Sequence, residues 1–225
     1  MKLGKMRKKN MLKIIKINQI ENMKDYIEKE YDHLPLQSCL QSNQGNGCLT
    51  ISCLYKDILS SDDGWKYLVL SACSLVGLLD RNRIKACIQW PHKIVVNEKE
   101  IAEIFVETLS DKPGVVLTIT LRVNDSIQGI SMKEITKQTY QTSVLLTGLV
   151  AFLNIYDNLY HTHQFYKALA YANDISCYQN KKINYKNYGS VIFEKLQSNG
   201  MLMIKDEKGK IYEEHILDIE EDKIC

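Results

Sequence analysis

The chain has 225 residues, of which 45% are hydrophobic and 25% charged, and its formal net charge is +2. These values are ordinary for a folded globular protein, and the near-neutral charge gives no overall reason to expect nucleic acid or an acidic membrane surface as a partner. The seven cysteines include no CxxC pair. The sequence therefore predicts neither a zinc site nor disulfides, and a cytoplasmic protein.

The first residues predict a basic, solvated tail over Lys2–Asn10 and an opening strand over Met11–Ile17. Lys13 and Lys16 interrupt the apolar part of this strand, which is also too short for a signal peptide or a membrane span. Helical spacing of apolar residues predicts a short helix over Glu21–Tyr31. We expect a polar loop to follow, up to residue 47.

Alternating apolar and polar residues predict a strand with one buried face over Cys48–Tyr55. Apolar residues recur every three or four positions over Asp62–Asp80, and this spacing predicts an amphipathic helix. Asp62 and Asp63 stand at its N-terminus, where the positive end of the helix dipole favours carboxylates. Four more strands are predicted from short apolar or alternating segments: Ala86–Trp90, Lys93–Val96, Ile101–Thr108 and Val115–Val123. In the last of these, Thr118, Thr120 and Arg122 face away from the apolar side.

Helical segments are predicted again from Ser131 onwards. The spacing of apolar residues over Val144–Tyr160 predicts a long helix with a wide apolar stripe. After Asp174 the chain changes to short strands separated by polar turns: Ile175–Tyr178, Ser190–Leu196, Met201–Asp206 and Lys210–Ile216. The sequence thus predicts an α+β body and a small all-β module. The predicted boundaries are 1–10 for the tail, 11–173 for the body and 174–225 for the module.

Several short motifs stand in a specific order along this predicted body. They are Gly45–Tyr55 (GNGCLTISCLY), Trp90-Pro91, Ile101-Ala102, Ile104, Glu107 and Thr118–Asn124 (TITLRVN), followed by Gly189–Ile204 in the module. In this order and spacing they resemble the biotin–protein ligases. That family has a Trp-Pro segment, then an Ile/Leu-Ala-Gly-Ile strand that ends in Glu, then a glycine-containing strand that ends in Asn. The resemblance spans nearly the whole chain.

The resemblance implies an α+β fold class, with a central mixed sheet and helices like the catalytic domain of biotin/lipoate ligases, plus an SH3-like C-terminal β-barrel. It implies an enzyme that forms biotinyl-adenylate from biotin and ATP, with Mg²⁺, and passes the biotin to a lysine of a carrier protein. The implied partners are a biotin carrier or related protein and a second copy of the chain. We expect no DNA and no membrane among the partners.

The departures from the family concentrate at positions that contact its ligands. Gln89 replaces a lysine, His92 and Lys93 replace Asn and Asp, Glu100 replaces the active-site lysine, and Glu103 replaces a pocket glycine. Thr118 and Thr120 replace two further glycines, and Arg122 replaces an asparagine, whereas Asn124 is retained. The family's arginine-rich loop has no counterpart. A glutamate at the lysine position would repel the phosphates that the lysine attracts.

These substitutions leave two hypotheses open. In the first, the chain is a biotin–protein ligase-like protein with weak or lost catalysis; in the second, it is a non-catalytic scaffold for protein interaction. A lipoate ligase is a third, less favoured reading. Glu100 and Glu103 are either a re-purposed acidic site or ordinary salt-bridged carboxylates. The candidate substrate-binding positions are Trp90, Pro91, Glu100, Glu103, Thr118, Thr120, Arg122 and Asn124, with no metal ligand among them.

Overall fold

The computed structural model describes residues 11–17, 22–42, 47–56, 63–109, 111–126, 128–185 and 188–216. Seven strands form a central sheet in the order β1-β2-β3-β7-β6-β5-β4, and four form a second sheet in the order β11-β10-β9-β8. The central strands are β1 Lys13–Ile17, β2 Gln37–Ser42, β3 Cys48–Tyr55, β4 Cys87–Gln89, β5 Lys93–Val96, β6 Lys99–Thr108 and β7 Val115–Arg122. The second sheet contains β8 Lys182–Tyr185, β9 Gly189–Leu196, β10 Met201–Asp206 and β11 Ile211–His215. The helices are α1 Met23–Glu30, α2 Gly64–Arg81, α3 Met132–Thr136, α4 Thr142–His161 and α5 Phe165–Asp174.

The central sheet is mixed, because β1 and β2 are parallel whereas its other paired strands are antiparallel. One face of the sheet packs on α2, which is buried along most of its length, and α4 and α5 pack on α2 in turn. The other face carries a small apolar cluster under α1, around Ile27, Leu40 and Leu54. Asn22 caps α1 through its side chain, which accepts hydrogen bonds from two backbone N–H groups of the first turn. The sheet therefore separates the main core, on the α2 side, from the opposite face, which carries the small cluster and the candidate site.

The second sheet lies against the body through side chains of α5 and α2. Asn173 bonds the backbone of Leu196 twice: its Nδ2 donates to the carbonyl at 3.0 Å, and its Oδ1 accepts from the N–H at 2.7 Å. Trp65 packs edge-on against Phe165, and Gly200 lies so close to the Trp65 ring that an added Cβ would stand 3.0 Å from it. The predicted mixed sheet and separate small β unit are therefore confirmed.

Three sequence-based expectations are wrong. The polar loop expected up to residue 47 contains strand β2, which pairs with both β1 and β3. Ile175–Tyr178 is not a strand but a series of turns with one isolated bridge, in which Ser176 pairs with Ile88. The expectation of no disulfide also fails, because Cys87 and Cys177 are bonded. The two cysteines are 90 positions apart in sequence, and it is the bridge next to them that brings them together. No local cysteine spacing could have indicated the pair.

α4 is long and apolar enough, by length and composition, to count as a candidate membrane span. Its residues Leu145, Leu149 and Leu153 are buried in the main core, and the carboxylate of Asp157 is also buried. Tyr67 donates to this carboxylate at 3.2 Å and Gln37 at 3.4 Å. These contacts are those of a helix within a globular layer, so the span is weakly supported. The basic tail expected over residues 1–10 lies outside the described residues.

Candidate functional site

The surface of the central sheet opposite α2 carries four hydroxyl side chains on β3 and β7. Thr50 lies directly opposite Thr120 in the strand register, and Ser52 lies opposite Thr118. The two hydroxyls of each pair are in contact, at 3.4 Å and 3.0 Å respectively. All four positions follow from alternation, because the intervening residues of both strands face the core. The hydroxyls thus form a continuous polar strip where the resemblance predicts a slot floored by glycine.

A cluster of four charged side chains adjoins this strip at the ends of β5, β6 and β7. Arg122 forms an ion pair with Glu100, and its Nη2 lies 3.8 Å from an oxygen of Glu103. Lys93 places its Nζ 3.4 Å from the other oxygen of Glu100. The side chains of Glu100 and Arg122 are only 17% and 14% exposed. Two carboxylates and two cations therefore neutralise each other in a partly desolvated setting.

The strand register explains why these charges meet. Glu103 lies opposite Thr120 of β7 and opposite Lys93 of β5. The register between β5 and β6 then shifts after Ile94. Glu100 reaches both Lys93 and Arg122 beyond this irregularity. Ordinary alternation would place positions 100 and 103 on opposite faces, so the bulge joins them in one cluster.

The carboxyl group of Glu103 is the less well neutralised of the two. Burial raises the pKa of Glu103 above its usual value, and the hydrogen bond and charge of Glu100 raise it further, while Arg122 and Lys93 act against both effects. The surroundings of Glu103 therefore disfavour its ionised form, so this carboxylate destabilises the cluster when it is charged.

A loop between β7 and α3 supports the backbone of Glu100 from the side. The N–H of Ile130 donates to the Glu100 carbonyl at 2.8 Å. Gly129 precedes it with φ +85°, and an added Cβ would stand 2.1 Å from the same carbonyl oxygen. Glu134 anchors the loop through a capping box with Ser131, and the hydroxyl of Ser126 also donates to it. These hydrogen bonds lower the pKa of Glu134 to about 2.

The Trp-Pro turn lies between β4 and β5, directly before Lys93. Trp90 is 2% exposed and belongs to the main core, and Pro91 is also buried. The peptide bond between them is cis. His92, the next residue, places its ring 5.0 Å from that of Phe105 on β6. The turn thus borders the charged cluster without contributing a side chain to the hydroxyl strip.

Asn124, which the resemblance marks as retained, has a structural role in this chain. Its Nδ2 donates to the carbonyl of Tyr140 at 2.8 Å, and its Oδ1 accepts from the N–H of Tyr140 at 2.8 Å. The amide therefore fastens the segment before α4 to the end of β7. Of the eight predicted positions, the structure brings five together: Glu100, Glu103, Thr118, Thr120 and Arg122.

Three residues of this surface were not among the predicted positions. Lys93 was noted in the sequence only as a replacement, although it ion-pairs with Glu100. Thr50 and Ser52 lie on the predicted strand β3, and their alternation was a usable signal, but only its pairing with β7 places them beside Thr118 and Thr120. Within the described ranges no group of three or more His, Cys, Asp or Glu is arranged to hold a metal ion.

The fold and this surface define a class: a mixed-sheet α+β body, carrying a polar face, joined to a small four-stranded unit. No family model and no curated protein matches the sequence. Among solved structures, the biotin protein ligase from Aquifex aeolicus is similar with a TM-score of 0.79 at 16% identity, covering 91% of this chain and 97% of that one. The same enzyme in complex with biotin and ATP gives 0.76 at 14% identity, covering 90% and 95%.

A biotin protein ligase-like protein of unknown function from Silicibacter sp. is also similar. Its TM-score is 0.77 at 8% identity, and the match covers 91% of this chain and 94% of that one. At such identities the likeness concerns the fold. The chain has the fold of the biotin protein ligases over nearly its full length, which confirms the predicted ligase-like body with a small C-terminal β unit.

Proposed function

We propose that this chain is a biotin–protein ligase-like protein whose ligase catalysis is weak or lost. One observation carries the proposal: Arg122 and Glu100 neutralise each other at the two positions where the resemblance predicts ligand contacts. The fold accounts for the ancestry, and this ion pair bears on the present activity. The similar Silicibacter protein, described as ligase-like and of unknown function, is consistent with a fold that is not tied to one activity.

Forming an acyl-adenylate requires cationic donors that are placed to stabilise the charge that builds up on the reacting carboxylate and phosphate. Arg122 and Lys93 are the cations of the polar face, and both are engaged by Glu100. Freeing either one for a phosphate would leave a carboxylate with little solvent around it and fewer counter-charges. The net charge of the cluster is zero, which gives an incoming triphosphate little attraction.

The residues present also fit biotin poorly. A neutral ring system needs a slot without side chains, whereas Thr118 and Thr120 extend from β7 into contact with Ser52 and Thr50. Glu103 adds a partly buried carboxylate beside Thr120. Packing a neutral ring there would bury this carboxylate further, which is unfavourable. No step of an adenylation is therefore assigned to these side chains.

The test is transfer of labelled biotin to a biotin carrier domain in the presence of ATP and Mg²⁺, with the Aquifex ligase as the active control. We expect transfer at least about 100-fold slower than the control, the order of loss caused by removing one charge-stabilising donor. Calorimetry with biotin alone should show no saturable heat. Transfer at the rate of the control, or tight biotin binding, would overturn the proposal.

A further inference from the structure

The Cys87–Cys177 bond occupies a place where a covalent link can affect the candidate site. Cys87 is the first residue of β4, the outermost strand of the central sheet. Cys177 lies in the turns between α5 and β8, the segment that enters the second sheet. Two residues after β4 begins, the chain reaches Gln89 and then the turn Trp90-Pro91. The bond thus joins the entrance of the small unit to the strand that leads into that turn.

Few non-covalent contacts hold β4 on this outer side. The N–H of Ile88 donates to the carbonyl of Ile175 at 2.9 Å, and the N–H of Cys177 donates to the carbonyl of Ile88 at 2.8 Å. These two hydrogen bonds align the cysteines, whose Cα atoms are 5.3 Å apart, within the usual range for a disulfide. β4 itself has only three residues. β4 is also paired with β5 along its length, and Ile88 is buried, so the covalent link adds restraint mainly on the outer side of β4.

The small unit has other attachments to the body that do not depend on this bond. Asn173 of α5 holds the backbone of Leu196 by two hydrogen bonds, and Trp65 of α2 packs closely against Gly200. Opening the disulfide would therefore loosen the outer side of β4, while its pairing with β5, the buried Trp90 and the second sheet stay in place. The effect of reduction is local rather than global.

The remaining cysteines of the described ranges behave differently. Cys39, Cys53 and Cys73 are free and fully buried, and burial raises the pKa of the Cys73 thiol. Cys48 is free and half-buried. Cys87 and Cys177 are half-buried and already paired, so they are the cysteines placed for exchange with a small thiol. Thiol–disulfide exchange requires that a small thiol can reach one of the two sulfur atoms.

We infer that Cys87 and Cys177 form a reversible redox site that sets the restraint on the outer side of β4, the strand that leads into the Trp90-Pro91 turn. Oxidation removes one proton and one electron from each thiol, joins the two sulfurs, and reduces a low-molecular-weight disulfide to two thiols. The exchange passes through a mixed disulfide on one of the two cysteines. Reduction reverses each step. This inference does not depend on whether the chain retains ligase activity.

The test uses the full chain equilibrated in glutathione buffers that span the range from the secretory to the cytosolic redox poise. Peptide mass mapping follows the Cys87–Cys177 link, and we expect it to open within that span. Reduction should lower the melting temperature by about 5 to 15 °C, since the bond closes a long loop. A link that is absent without reductant, or unchanged across the whole series, would overturn the inference.

Hydrogen exchange separates a local switch from a purely structural bond. On reduction, the amides of Ile88 and Cys177 should lose protection while that of Leu196 keeps it. The double variant Cys87→Ser/Cys177→Ser should match the reduced protein and be insensitive to redox poise. Cys48→Ser is the matched control and should respond as the wild type does. Equal protection at Ile88 in both redox states would also overturn the inference.

Discussion

Arg122 on β7 and Glu100 on β6 form an ion pair in which both side chains are more than four-fifths buried. In such a setting the attraction between the charges is stronger than at the surface, but each charge has lost most of its water. The consequence is an asymmetry. The pair as a whole contributes little net stability, whereas loss of one member leaves the other poorly solvated.

Arg122→Met should therefore lower the free energy of unfolding by about 1 to 3 kcal/mol, because Glu100 keeps only Lys93 as a counter-charge. Urea unfolding at pH 7 measures this. Lys24→Met is the matched control: Lys24 pairs at 3.3 Å with Glu107 on the same strand as Glu100, and the two side chains are 31% and 49% exposed. Its cost should stay under about 1 kcal/mol. Equal losses for the two variants would contradict the asymmetry.

Glu103→Gln should stabilise the protein at neutral pH. The folded-state pKa of Glu103 is raised above its unfolded value, so its contribution to stability is complete below the unfolded pKa and is lost as pH rises through the folded one. The melting temperature of the variant relative to wild type should rise from pH 4 to pH 7. Glu107→Gln removes an exposed carboxylate from the same strand and should show no such gain; a parallel rise there would argue against this assignment.

Glu134→Gln should flatten the acid side of the stability profile. The pKa of Glu134 falls to about 2 because Ser126 and Ser131 donate hydrogen bonds to it, so its contribution is present above the unfolded pKa and is lost as pH falls toward 2. Thermal unfolding between pH 2 and pH 6 tests this. Glu207→Gln, at an exposed ion pair with Lys182, should leave the profile unchanged. An unaltered acid limb in Glu134→Gln would refute the prediction.

Gly129→Ala should cost about 2 kcal/mol or more, because a side chain at φ +85° is strained and its Cβ would meet the Glu100 carbonyl at 2.1 Å. Gly189→Ala provides the comparison, since Gly189 has φ +71° but nothing within 4 Å of an added Cβ. That variant should show the backbone strain alone, about 1 kcal/mol. Chemical denaturation of both measures the difference, and equal costs would mean that the loop moves away from Glu100 freely.

The sequence predicts elements well where one local signal decides them. Cys48–Tyr55 alternates apolar and polar residues through its centre, Leu49–Cys53, and is a strand over the predicted range. β2 was expected to be loop, because Gln37–Ser42 is mostly polar and its strand character comes from pairing with both β1 and β3. Ile175–Tyr178 shows the opposite error: its β-forming residues make a single bridge to Ile88 instead of a strand. In both cases tertiary pairing outweighed local preference.

In the candidate site, too, local signals predict some features, whereas others depend on how the strands pair. Alternation correctly predicts that Thr118, Thr120 and Arg122 share a face. It cannot predict the meeting of Glu100 with Arg122, which depends on the irregular register between β5 and β6. From the sequence, Glu100 was expected to be a repulsive charge; in the structure two cations neutralise it. The alternative of salt-bridged carboxylates, which the sequence left open, agrees with this arrangement.

The Glu100–Arg122 pair also constrains how this chain can change over generations. A lysine at position 100 would place a third cation beside Arg122 and Lys93, while a neutral residue at position 122 would leave Glu100 with one counter-charge. Either single step passes through a less stable protein, so the two positions can exchange their character only together. Selection for stability alone is therefore enough to retain the ion pair, whatever activity the protein has.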